Sequence, residues 1–141
     1  MISVARSLLI AAPAERVYAA YLDFATWSAW VPHFHELTPL QDGELALGHR
    51  ARVRERFSIV PTVWEVTELA PGRSFAWTSS TLPGLRLTVD HVAEANGVGA
   101  LATLALHVEG PLAPVAGPVA VRLSRRTFDR SLVALRGVLE G

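Results

Sequence analysis

The sequence predicts an α+β fold, a curved antiparallel sheet of about seven strands wrapped around one long C-terminal helix. Three observations predict it. Strand-like runs rich in Val, Leu, Thr and Trp recur across residues 49–109, broken by the turn phrases "VP", "APGR", "LPG" and "NGVG". Consecutive strands with such short breaks pair as an antiparallel meander. The last third then changes period. Val121, Phe128, Leu132, Leu135 and Leu139 recur at spacings of seven, four, three and four, which is one helical stripe.

The elements follow in order. Residues 2–10 read as a first strand. Pro13 suits the start of a helix over residues 14–22, where its missing N–H costs nothing. That helix places Val17, Ala20 and Tyr21 on one side. Asp23 is positioned to cap a second short helix carrying Trp27 and Trp30, and Pro32 ends it. "HFHELTPLQDGELALG" reads as a weak strand running into a turn at Asp42-Gly43. Five strands are then expected, over residues 49–57, 62–69, 74–80, 85–94 and 100–109. Pro118 suits the first turn of the long helix, with Pro111, Pro114 and Gly117 shaping its approach. Sheet and helix must bury their apolar faces against each other. The two short helices close one end, so an internal cavity is expected between helix and sheet.

Composition narrows the function. The 141 residues form a single domain, 1–141, half hydrophobic and 18% charged. A chain of this size buries roughly 70% of its unfolded surface and needs no staples. Thirteen basic and thirteen acidic residues cancel, and every basic one is arginine. A nucleic-acid binder carries a basic excess, so that class is excluded. The absence of cysteine removes disulfides, thiolate catalysis and cysteine-ligated zinc. The opening "MISVARSLLIAAPAERV" has a short apolar run with only Arg6 before it, and the first strand needs those residues. It reads as mature, cytoplasmic protein. No run approaches the ~20 apolar residues of a membrane span, so no membrane insertion is expected. No glycine-rich phosphate loop, H-E-x-x-H or G-x-S-x-G occurs. A nucleotide enzyme or serine hydrolase is therefore not expected, and no cofactor is implied. Nothing in the sequence specifies an oligomeric state.

Side-chain alternation singles out the chemistry. In "GHRARVRERF" Arg50, Arg52, Arg54 and Arg56 share one strand face, and Ala51, Val53, Glu55 and Phe57 the other. With zero net charge the arginines read as a solvated face. Glu55 then points inward among apolar neighbours, where desolvation raises a carboxylate's pKa and makes a general acid/base. The plainer alternative leaves it at the sheet margin, solvated or paired with an arginine. Leu85, Leu87, Val89 and His91 share the inward face of a later strand. His91 is the second catalytic candidate, since imidazole titrates near neutrality; a structural histidine is the plainer alternative. His33 and His35, followed by Glu36, offer half of a metal site, but no third ligand is evident and no metal is expected. The alternative is a loop at the cavity mouth. His107 reads as outward and His49 as an edge residue.

Aromatic residues supply candidate ligand contacts. Trp27, Trp30, Trp64 and Trp77, with Val53, Phe57, Val66, Phe75, Leu87, Val89, Tyr18 and Tyr21, are either core or the wall of a cavity for planar ligands. On the long helix Ala120, Ser124, Thr127 and Ser131 form a small-residue strip beside Phe128. Facing the sheet, it leaves room for a ligand; facing outward, it is merely solvated.

The phrases "IAAPAERVYAAYLDFATWSAWVP", "WEVTELAPGRSFAW" and "EGPLAPVAGPVAVRLSRRTFDRSLVALRGVLEG", in that order, resemble the START-like superfamily, also called SRPBCC or helix-grip proteins. The nearest branch is polyketide cyclase/dehydrase and lipid transport. The "LPG…H" segment ending at His91 and the "NGVGALATL" turn extend the likeness over almost the whole chain. Ala100 stands where this family often has threonine. The resemblance implies a helix-grip fold and a deep apolar cavity that binds a hydrophobic, aromatic or polyketide-like small molecule. One alternative is a cyclase, aromatase or dehydratase using the same cavity, with Glu55 and His91 moving protons. Another is an interaction module without ligand.

Overall fold

Turn chemistry and period-2 alternation produce one seven-stranded sheet in the computed structural model, which describes residues 2–56 and 60–141. In chain order the elements are β1 (Ile2–Ile10), α1 (Ala14–Leu22), a 3-10 turn (Phe24–Thr26), α2 (Trp27–Trp30), β2 (Phe34–Pro39), β3 (Arg50–Glu55), β4 (Thr62–Ala70), β5 (Ser74–Ser79), β6 (Arg86–Asn96), β7 (Gly99–Glu109) and α3 (Ala113–Glu140). Strands β2 to β7 form an antiparallel meander. β1 returns to flank β7, from Ile2 opposite Val108 to Ile10 opposite Ala100. The sheet curls, and α3 packs against β1, β7 and α2. Val121, Phe128, Leu132 and Leu135 of the helical stripe are buried, and Leu139 is half-buried against the same core. Each of the four buried side chains contributes about 1.5–3 kcal/mol by leaving water.

The outer face of the sheet is polar and hydrogen-bonded. Thr78 bridges the hydroxyls of Thr67 and Thr88 at 3.0 Å each. His107 accepts from Ser3 at Nδ1 (2.9 Å) and donates from Nε2 to Asp90 (2.8 Å), which places it outward. Arg50 donates to Glu65 at 3.0 Å and Arg54 lies 3.8 Å from Glu36, so those two arginines belong to the wet face.

Several boundaries differ from the sequence expectation. β3 stops at Glu55, with Arg56 in a turn; Phe57 lies outside the described residues. Bulges at Phe34/Glu36 and Val66/Glu68 each insert one residue and reset the alternation. Phe34 therefore faces Glu55, Leu37 faces Val53, and His35 is left exposed. Asp23 makes no side-chain cap; its carbonyl instead accepts the Thr26 N–H and hydroxyl at 3.0 and 2.8 Å. α3 begins at Ala113, so Pro114 occupies the first turn and Pro118 sits inside the helix. Pro118 lacks the N–H that would pair with the Pro114 carbonyl, and packing compensates. Gly117 lies against Ile2, where an added Cβ would come within 2.7 Å of Ile2 Cδ1.

The corner between β7 and α3 is tightly determined. Gly110 has φ +109°, and a Cβ there would approach the Gly84 carbonyl oxygen to 2.5 Å. That same carbonyl accepts the Leu112 N–H at 3.0 Å, tying the start of α3 to the β5–β6 loop. Gly110→Ala is expected to destabilise the protein by about 1–3 kcal/mol, because strain and clash add. Urea unfolding should show a lower midpoint with an unchanged slope. An unaltered midpoint would mean that this corner is not constrained.

Candidate functional site

A cavity of about 300 Å³ lies between the inner face of the sheet and α3. That is the lower end of the range for small-molecule sites. Alternation builds its wall. Leu87, Val89 and His91 project from one face of β6, and Leu104 and Leu106 from β7. Trp64 and Trp77 come from β4 and β5. Trp27 and Trp30, three apart on one turn of α2, close the end. The Trp27 indole N–H donates to the Tyr21 carbonyl at 3.1 Å, which fixes that turn to the end of α1. Along α3 the whole small strip, Ala120, Ser124, Thr127 and Ser131, faces the hollow with Phe128. Leu82 and Leu123 also line it yet are 40% and 61% exposed, so the mouth opens between the β5–β6 loop and α3.

Both acid/base candidates reach this cavity. Glu55 is half-buried, and burial raises its carboxyl above the usual range. Among the described residues it has no hydrogen-bond or ion-pair partner. Its neighbours along β3 turn the other way. Arg54 lies by Glu36, and Arg56 donates through Nε to the Pro32 carbonyl at 2.7 Å. His91 is buried in rings. It stacks on Phe75 at 4.2 Å and 4°, with Tyr21, Trp27 and Trp77 at 5.5, 5.5 and 5.8 Å. Desolvation lowers its pKa to about 3, so the imidazole is neutral near pH 7. Its Nδ1 lies 3.4 Å from the Phe75 carbonyl. With Nδ1–H as that donor, Nε2 is left as an acceptor.

His33 and His35 do not converge. His33 precedes β2, lines the cavity edge-on to Phe34 at 4.5 Å, and is lowered by burial to about 4. His35 is exposed in the bulge. Among the described residues no group of three His, Cys, Asp or Glu side chains could hold a metal.

Other candidates sit beside the cavity in packed core. Tyr21 is fully buried and donates its hydroxyl to the Val92 carbonyl at 2.9 Å; burial raises the phenol further. Tyr18 is half-buried against the core, and Val53, Val66 and Phe75 are buried in it. Strand alternation identified their faces but not their distance from the hollow. Sequence reasoning missed Val31, Phe34, Leu82 and Leu123, and left Leu104 and Leu106 unassigned although they lie opposite outward-facing His107. It also missed three polar atoms on cavity residues that are buried without partners among the described residues: Trp30 Nε1, His33 Nδ1 and Ser131 Oγ.

The family model described as polyketide cyclase / dehydrase and lipid transport matches residues 1–140. No curated protein matches in sequence. Solved structures do match. A START superfamily protein from Mycobacterium smegmatis is 20% identical over 99% of this chain and 98% of its own, with a TM-score of 0.77. A hypothetical protein, jhp0584, from Helicobacter pylori is 14% identical over 97% and 87%, with a TM-score of 0.79. The di-domain ARO/CYC protein BexL from the BE-7585A biosynthetic pathway is 20% identical over 99% of this chain and 47% of its own, with a TM-score of 0.74. At these identities the likeness shows the fold.

The neutral state of His91 has a measurable consequence. An ordinary imidazole has a pKa of 6.5, and burial takes that of folded His91 to about 3. Between those values the unfolded chain binds the extra proton, so folding stability is lost as pH falls. His91→Phe keeps a ring against Phe75 and removes this linkage. Urea unfolding at pH 7 and pH 5 should show the wild type losing on the order of 2 kcal/mol more than the variant. Parallel losses would show that His91 is not held neutral. Glu55 and His33 cancel in the comparison.

Proposed function

The chain belongs to the polyketide cyclase / dehydrase and lipid transport family, and from that premise we propose that it binds a hydrophobic, ring-bearing small molecule between the sheet and α3. The carrying observation is the cavity of about 300 Å³, with four tryptophans on its wall and exposed Leu82 and Leu123 at its mouth. Flat rigid rings suit planar ligands. The small side chains of Ala120, Ser124 and Thr127 supply the space; larger residues there would fill it. The family match over residues 1–140 supports a hydrophobic ligand.

A second reading is catalytic, a cyclase or dehydratase acting on that ligand. It rests on Glu55 and His91 lining one cavity in complementary states. Glu55, raised by burial, would give a proton, and neutral His91 would accept one at Nε2. Binding takes precedence because the rings around His91 leave it little freedom to approach a substrate.

Thr127→Trp fills the hollow from α3. It is expected to weaken binding of the neutral dye N-phenyl-1-naphthylamine, read by fluorescence, at least tenfold. Far-ultraviolet circular dichroism should stay unchanged. Undiminished dye binding would place the ligand elsewhere. Native mass spectrometry separates the two readings: a binder returns its small molecule unaltered, whereas an enzyme releases a product of different mass or bond order.

A further inference from the structure

Among the described residues the cavity is lined by one acid and by no cation to match it. Among the described residues no arginine lines it, and the chain has no lysine. Arg54 and Arg56, beside Glu55 in sequence, are turned to Glu36 and to the Pro32 carbonyl on the other side of the strand. The two imidazoles on the wall, His33 and His91, are held neutral by burial and add no positive charge. An anionic ligand, carboxylate or phosphate, would therefore meet an unpaired carboxylate and no cation.

From this charge arrangement we propose that the ligand is a hydrophobic amine, its ammonium paired with Glu55 and its ring system among the indoles. The inference rests on the cavity being a ligand site and adds the ligand's charge. Two features of the wall favour a cation. Glu55 lacks any partner among the described residues, so an ammonium supplies the counter-charge that the protein withholds. Trp27, Trp64, Trp77 and Phe34 line the same space, and aromatic faces attract cations through their quadrupole. The remaining polarity describes the ligand body. Trp30 Nε1–H can only donate and is buried without an acceptor among the described residues, and Ser131 Oγ is likewise unpartnered among them. A hydroxyl, ether or carbonyl oxygen on the ring system would satisfy them.

Three probes of one shape and different charge test this on the intact chain at pH 7: 1-naphthylmethylamine, 1-naphthalenemethanol and 1-naphthoate, each displacing N-phenyl-1-naphthylamine. The amine is expected to bind at least tenfold tighter than the alcohol, and the naphthoate not to compete. Glu55→Gln keeps the side chain's shape and should reduce the amine to the alcohol's affinity while leaving the alcohol within twofold. Glu55→Met, which keeps length without charge, should do the same. An amine no tighter than the alcohol overturns the proposal, as does a preference that survives both substitutions. If the dye binds but the amine is not preferred, only the ligand's charge is refuted. If neither the dye nor any probe binds the wild type, the ligand site itself fails, and this inference with it.

Discussion

The Trp27 indole packs against Trp30, Phe34, Phe75, Trp77 and His91, and its N–H reaches the Tyr21 carbonyl. Those partners come from α1, α2, β2, β5 and β6. A helix as short as α2 has no stability of its own, because nucleation costs more than one turn returns. Trp27 is what holds it. Truncating a buried Trp typically costs 3–5 kcal/mol, against a net stability of 5–15 for a domain. The closed end of the cavity depends on that one side chain.

The hollow itself follows from how α3 is held at its two ends. Near its start, Gly117 lets the backbone rest on Ile2, and the Gly84 carbonyl fixes Leu112. Toward its end, Leu132 and Leu135 enter the common core. Between these anchors the helix presents Ala120, Ser124 and Thr127, which are too small to reach across to the indoles. A helix seated at both ends cannot sag inward to fill such a gap, because interiors are close-packed and relax only partially. The space is therefore specified by sequence as firmly as the core around it.

Much of this was legible in the sequence, for physical reasons that also mark where legibility stopped. Alternation is strict in β3 and β6, so the inward direction of Val53, Glu55, Leu87, Val89 and His91 could be read from spacing alone. The bulge at Phe34/Glu36 could not, because a single extra residue changes which side chains face inward without altering composition. The start of α3 was hidden by Pro118, whose helix-breaking tendency is overridden by packing against β1. Face is also not depth. Phe75 and Trp77 share the inner face of β5, yet Phe75 stacks on His91 while Trp77 meets the hollow. Tyr21, read as either core or cavity wall, is core, and its hydroxyl donates to the Val92 carbonyl.

Burial acts on both titratable candidates in the same sense: it favours whichever form is neutral. It lowers the pKa of His91 and raises that of Glu55. Glu55 is half-buried and keeps contact with solvent, so an unpaired carboxylate is tolerated on an aromatic wall. The two groups differ in what can reverse this. His91 is packed among Phe75, Tyr21, Trp27 and Trp77 and is only 3% exposed, so little of the imidazole is open to an incoming group. Glu55 is half-buried and faces open space, so a ligand can meet it directly. An ammonium there stabilises the carboxylate and opposes the upward shift that burial imposes, while a neutral ligand brings no counter-charge. Among the described residues that line the cavity, Glu55 is thus the group that answers to the charge of an occupant.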